Sequence, residues 1–143
     1  MTGRRFIYQS VLESEERMYI EIKDYLTASD IPEPILRKAL LAISEAFTNA
    51  LIHGNRKDPG KNITIVIAIN NNRLTADITD EGKGEESAAF LRQPPGLWQE
   101  GGRGIDIMEK LADKATIIKC RETGGLRVSL EFEIERQKSQ AKS

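Results

Sequence analysis

A chain of 143 residues with 39% apolar content has the size of one domain and enough apolar mass to close a core. Its 21 Lys and Arg against 22 Asp and Glu give a net charge of -1, so no basic field is available to hold a phosphate backbone and direct nucleic-acid binding is not expected. One cysteine, Cys120, excludes an internal disulfide, and one histidine, His53, excludes a His/Cys metal cluster. No signal-peptide core or membrane-length apolar run occurs, so a cytoplasmic location without membrane contact is expected.

In chain order, Phe6–Tyr8 reads as an edge strand. Ser10-Val11-Leu12-Glu13 has the S-x-x-E form of a capping box, and Met18, Ile22 and Tyr25 follow at helical spacing, which predicts a helix over about 12–27. Pro32 and Pro34 mark the next start. Leu36, Leu40, Ile43, Phe47 and Ala50 then form one stripe of a long helix ending near Gly54. Ile63, Ile65, Ile67 and Ile69 alternate, Asn70-Asn71-Asn72 supplies a turn, and Leu74, Ala76 and Ile78 resume the alternation of a β-hairpin.

Residues 81–103 lack periodicity and carry glycines at 82, 84, 96, 101 and 102 with Pro94-Pro95, the composition of a long functional loop. A short helix is predicted after Gly104 from Ile105, Met108, Leu111 and Ala112, then strands near 114–121 and 125–135 joined at Gly124-Gly125. The polar tail RQKSQAKS at 136–143 is expected to be disordered, leaving one domain over 1–135. Helices on one face of a largely antiparallel mixed sheet make an α+β two-layer sandwich.

Three places carry candidate chemistry. Glu45 and Asn49, four apart on the long helix, share a face turned away from the apolar stripe. That side also carries Leu41, Thr48 and Ile52, a mixture that a covered pocket explains; an ordinary half-exposed Glu and Asn is the plainer alternative. Asp80 continues the inward parity of Leu74, Ala76 and Ile78. It either caps the turn with Gly82 and Gly84 or accepts a hydrogen bond from a ligand amine that those glycines let come close. Gly101-Gly102-Arg103-Gly104, entering a helix, offers free N–H groups and a cation to an anion such as phosphate, but it lacks the Lys-Ser/Thr of a P-loop and is equally a plain flexible loop. His53-Gly54 reads as a helix C-terminus without a catalytic role, and Cys120 as a packing residue.

Taken in order, SEAFTNALIHGN at 44–55, DEGKG at 80–84 and GGRGIDIMEKLAD at 101–113 resemble the boxes of the GHKL, or Bergerat-fold, ATPases. Within that superfamily the chain resembles the bacterial anti-sigma factor serine/threonine kinases, whose E-A-x-x-N-A-x-x-H-G box is matched at 45–54. The resemblance runs from Ile35 to Phe132. It implies ATP or ADP as ligand, with Mg²⁺ held at Asn49, Asp80 reading the adenine amino group and Glu45 as catalytic base. It also implies Gly82 and Gly84 shaping the adenine side, 85–100 as the ATP lid, and Gly101, Gly102, Arg103 and Gly104 near the terminal phosphates. The chain departs from the pattern twice. Glu85-Glu86-Ser87 stands where many relatives have Phe-Asp-Pro, and Gly125-Leu126-Arg127-Val128 replaces Gly-Thr-Thr-Val, which removes an adenine-side threonine.

By the same resemblance, the expected activity is transfer of phosphate to a serine of a STAS-domain anti-anti-sigma protein. The expected partners are that protein, a sigma factor that the free kinase sequesters, and a second copy in a homodimer. The alternative is a nucleotide-gated binding module that sequesters a regulator without phosphotransfer. The catalytic half of a histidine kinase is disfavoured because no phosphoacceptor helix pair precedes the boxes.

Overall fold

The computed structural model describes residues 2–82 and 104–134. Its elements are β1 (Thr2–Gln9), α1 (Glu13–Ala28), α2 (Glu33–Asn49), one π-helical turn (Ala50–Gly54), β2 (Asn62–Ile69), β3 (Arg73–Thr79), α3 (Gly104–Leu111), β4 (Lys114–Lys119) and β5 (Leu126–Glu133). The five strands form one sheet in the order β1-β2-β3-β5-β4, and each of these pairings is antiparallel. The two-layer α+β architecture follows, with β1 as the expected edge strand.

Alternation decides which face of the sheet is covered. Ile63, Ile65, Ile67 and Ile69 of β2, Leu74, Ala76 and Ile78 of β3, and Leu126, Val128, Leu130 and Phe132 of β5 all turn inward and are buried. Against them lie Met18, Ile22 and Leu26 of α1 and Leu36, Leu40, Ile43 and Phe47 of α2. Phe47 meets the buried Tyr8 ring edge-on, with centroids 5.6 Å apart, while the Tyr8 hydroxyl donates to Glu21 at 2.7 Å. No helix among the described residues is long and apolar enough to cross a membrane.

The capping box does not form. α1 begins at Glu13 with Leu12 at the N-cap and no side-chain cap bond. Ser10 is fully buried instead, and its hydroxyl donates to the Lys61 carbonyl at 2.8 Å. A tertiary bond that satisfies the buried Ser10 hydroxyl has displaced a local one that water could replace.

α2 has Pro32 at its N-cap and Pro34 in its first turn, where a missing N–H costs no intrahelical bond. The helical path runs on to Gly54 as predicted, but residues 50–54 are wound as a π-turn, closed by the Asn55 N–H donating to the Ala50 carbonyl at 2.7 Å. Such single π-turns redirect the side chains at a helix end.

Candidate functional site

Asp80 follows β3 and is buried where the sheet meets the end of the α2 path. Its Oδ1 accepts the backbone N–H groups of Gly82 and Leu126, each at 3.0 Å. Its own N–H donates to the Leu126 carbonyl at 3.0 Å, and its carbonyl accepts the Thr123 hydroxyl at 2.7 Å. The carboxylate caps the Gly82 turn, and the residue also lines a cavity.

The space for its carboxylate exists because glycines surround it. A Cβ on Gly54 would land on the Asp80 carboxylate, one on Gly125 on its Oδ1 and carbonyl, and one on Gly82 on the Gly54 carbonyl. Burial pushes the Asp80 carboxyl above its ordinary pKa; the Gly82 and Leu126 amides and the charge of Lys61 oppose that shift without overcoming it.

The helix supplies the opposite wall. Ala46, Asn49, Ala50 and His53 on one side and Ile78, Asp80, Leu126 and Val128 on the other line a narrow cavity. Asn49 is buried there, at 8% exposure, rather than turned outward as its helical phase suggests, and its Nδ2 has no hydrogen-bond partner among the described residues. An unsatisfied buried amide costs about 1–3 kcal/mol, a cost that a ligand in the cavity would relieve.

Glu45, one turn earlier, is half-buried, and burial raises its carboxyl pKa. Burial also lowers the pKa of His53. Of the neighbours expected to sit under a cover, Thr48 donates to the Glu15 carboxylate of α1 at 2.7 Å and Ile52 packs on the core, whereas Leu41 is exposed.

The structure therefore brings Asn49, Asp80 and Gly82 together at one end of the sheet, with Glu45 on the adjoining helical turn. Gly104 is the first residue of α3. Gly84, Gly101, Gly102, Arg103 and the predicted lid at 85–100 lie outside the described residues.

Sequence reasoning missed Thr123, which fixes the Asp80 carbonyl from the turn before β5, and Asn55, whose Oδ1 accepts the Glu81 N–H at 2.8 Å. Gly125 reads in the sequence as a turn residue and as the first residue of the altered Gly-Leu-Arg-Val segment, not as a contact of Asp80. A glycine pair next to a strand that pairs with Asp80's own strand was the available signal for close backbone approach.

No group of three or more His, Cys, Asp or Glu suited to a metal occurs among the described residues. Asn49 lines the cavity, and a carboxamide oxygen is a ligand type that fits a hard divalent cation whose remaining ligands are phosphate oxygens and water.

A helical layer over an antiparallel sheet, with an amide on the long helix facing a carboxylate at a strand end, is the layout of a histidine kinase-like ATPase domain. The sequence matches the profile of that domain, described as the histidine kinase-like ATPase domain, over residues 9–132. It is 28% identical over 122 residues to the anti-sigma F factor of Oceanobacillus iheyensis, covering 82% of this chain and 83% of the relative. It is 30% identical over 115 residues to the anti-sigma F factor of Anoxybacillus flavithermus, covering 77% and 78%. The crystal structure of the RsbU and RsbW domains of Rv1364c from Mycobacterium tuberculosis superposes with a TM-score of 0.69 at 18% identity, which supports the fold. That match takes in 95% of this chain and 33% of the longer one. The chain belongs to the histidine kinase-like ATPase domain family, a family of nucleotide-binding domains, and within it to the anti-sigma factor group.

Proposed function

We propose that this chain is an ATP-dependent anti-sigma regulator that transfers the γ-phosphoryl group of Mg²⁺-ATP to a serine of a STAS-domain partner and, when free, sequesters a sigma factor. The observation that carries the reading is one cavity lined by both Asn49, whose buried Nδ2 has no partner among the described residues, and the Asp80 carboxylate. Asp80 Oδ1 is committed to two backbone N–H groups, so Oδ2, beside Gly54, is the oxygen that accepts the adenine amino group. Asn49 supplies an amide oxygen on the phosphate side. Gly82 lets the loop backbone close on Gly54 and so shapes the adenine side. Gly84 belongs to the same side, and Gly101, Gly102, Arg103 and Gly104 serve the phosphates.

Mg²⁺, when bound, neutralises the charge that builds on the phosphate oxygens during transfer. Glu45 accepts the proton of the attacking serine hydroxyl as its oxygen bonds to phosphorus and the bond to the β-phosphate oxygen breaks, leaving phosphoserine and ADP. Burial raises the Glu45 carboxyl pKa, which makes it a stronger base than an exposed carboxylate. A second reading, a nucleotide-gated binder without transfer, is favoured by one observation: Glu45 is not among the residues that line the cavity with Asn49 and Asp80.

Transfer of labelled γ-phosphate to STAS-domain proteins encoded beside this chain's gene separates the two. Wild type is expected to label one serine. Glu45→Ala should bind ATP normally and lose about 10²–10⁴-fold in transfer. The transfer rate of wild type should rise with pH through a pKa above the ordinary carboxylate range, because only the ionised form accepts a proton. ATP binding with no labelled product from any candidate supports the gated binder.

A further inference from the structure

Asn55 is 1% exposed and follows the π-turn, and its carboxamide ties together three segments that are remote in sequence. Oδ1 accepts the Glu81 N–H at 2.8 Å, while Nδ2 donates to Ser10 Oγ at 2.7 Å and to the Asn62 carbonyl at 3.0 Å. The Ser10 hydroxyl in turn donates to the Lys61 carbonyl, and the Asn62 N–H donates to the Glu81 carboxylate at 3.2 Å. A neutral planar group with one acceptor and two donors is needed at this junction, and among side chains of this length only asparagine has it.

The Glu81 N–H belongs to the peptide unit whose carbonyl is that of Asp80. That carbonyl accepts the Thr123 hydroxyl at 2.7 Å. The Asp80–Glu81 peptide plane is therefore held at both of its polar ends, by Thr123 on one side and by Asn55 on the other. Holding this plane fixes the path of the chain into Gly82, whose N–H grips Asp80 Oδ1 and so keeps the carboxylate beside Gly54. Asn55 touches none of the cavity itself, yet it fixes the residue that does.

The geometry assigns to Asn55 the role of a positioning residue, which sets the Asp80 carboxylate for the base of a bound nucleotide by pinning the Asp80–Glu81 peptide. The assignment rests on the reading above that Asp80 accepts the adenine amino group. Its signature is base discrimination. A carboxylate oxygen held in place accepts the amino group of adenine and repels the carbonyl that guanine presents at the same position.

The test measures dissociation constants for Mg²⁺-ATP and Mg²⁺-GTP by calorimetry on wild type, Asn55→Ala, Asn55→Asp and Ser10→Ala. The ratio of the two constants is independent of how much protein is folded. Wild type should prefer ATP, and Asn55→Ala should narrow that preference about tenfold. Ser10→Ala loses a comparably buried bond of the same network but none to the peptide, and it should leave the ratio within about twofold. Asn55→Asp keeps an acceptor for the Glu81 N–H and should retain most of the preference.

A wild-type preference that survives in Asn55→Ala, or falls equally in Ser10→Ala, overturns the positioning role and leaves the nucleotide site standing. No preference in wild type overturns the adenine reading of Asp80 and this role with it. Should Asn55→Ala not fold, amide exchange of Glu81 in unliganded wild type decides: protection comparable to the strands is expected, and exchange at open-loop rates overturns the assignment.

Discussion

Asp80 serves two opposed ends. Its Oδ1 organises the local backbone, while the charge that suits a ligand amine is disfavoured by burial. The folded chain keeps the Asp80 proton to higher pH than the unfolded chain does. Between the ordinary Asp value and the raised one the folded state therefore binds more protons, and its stability falls as pH rises through that window. Asp80→Asn keeps an Oδ1 for the Gly82 and Leu126 N–H groups and carries no charge to desolvate. Thermal melts across pH should find its Tm equal to or above that of wild type at neutral pH, with the gap closing as pH drops below the ordinary carboxylate range. The same substitution presents an N–H donor to the adenine amino group and should weaken ATP binding about a hundredfold. A marked drop in Tm at neutral pH would show that Asp80 holds the fold rather than a ligand.

At the scale of elements, the helices and strands were legible because burial imposes a period on each. The isoleucines at 63, 65, 67 and 69 mark β2 within one residue of its start, and the stripe from Leu36 to Ala50 marks α2. Ser10-Val11-Leu12-Glu13 misled because a capping box and a buried serine with a distant partner look alike in sequence. The site was half legible. Glu45, Asn49, Asp80 and Gly82 stood out by phase or by motif, but what holds Asp80 did not. Its bond from Thr123 spans 43 positions, the one from Leu126 spans 46, and the Ser10–Asn55 contact spans 45, and no local pattern encodes such pairings.

The same elements meet where the π-turn touches the end of β3, glycine backbone against carboxylate. Gly54→Ala places a methyl on the Asp80 side chain, so the turn and the strand end must part. A stability loss of about 1–3 kcal/mol in urea titration is expected, with ATP affinity falling as well. Unchanged affinity in that variant would mean that the cavity tolerates the separation and does not depend on this contact.

For the whole molecule, the sheet order β1-β2-β3-β5-β4 sets how the parts come together. β2 and β3 are joined by a short turn and pair locally, whereas β1 reaches β2 only after both α1 and α2 have been laid down between them. The bond from Ser10 to Lys61 that closes this circuit spans 51 positions. Loop closure of that length is entropically slow, and it becomes favourable only once the helices already present a surface on which β1 can dock. Phe6, buried at the centre of β1, is a probe of that event. Phe6→Ala should cost about 3–5 kcal/mol, nearly all of it as faster unfolding, with the refolding rate in stopped-flow measurements almost unchanged. Such kinetics would mark the earliest strand in the chain as one that joins the sheet late. Until it arrives, β2 presents a bare isoleucine-rich edge to any neighbouring chain, and slow refolding at high concentration is where this protein is most exposed to aggregation.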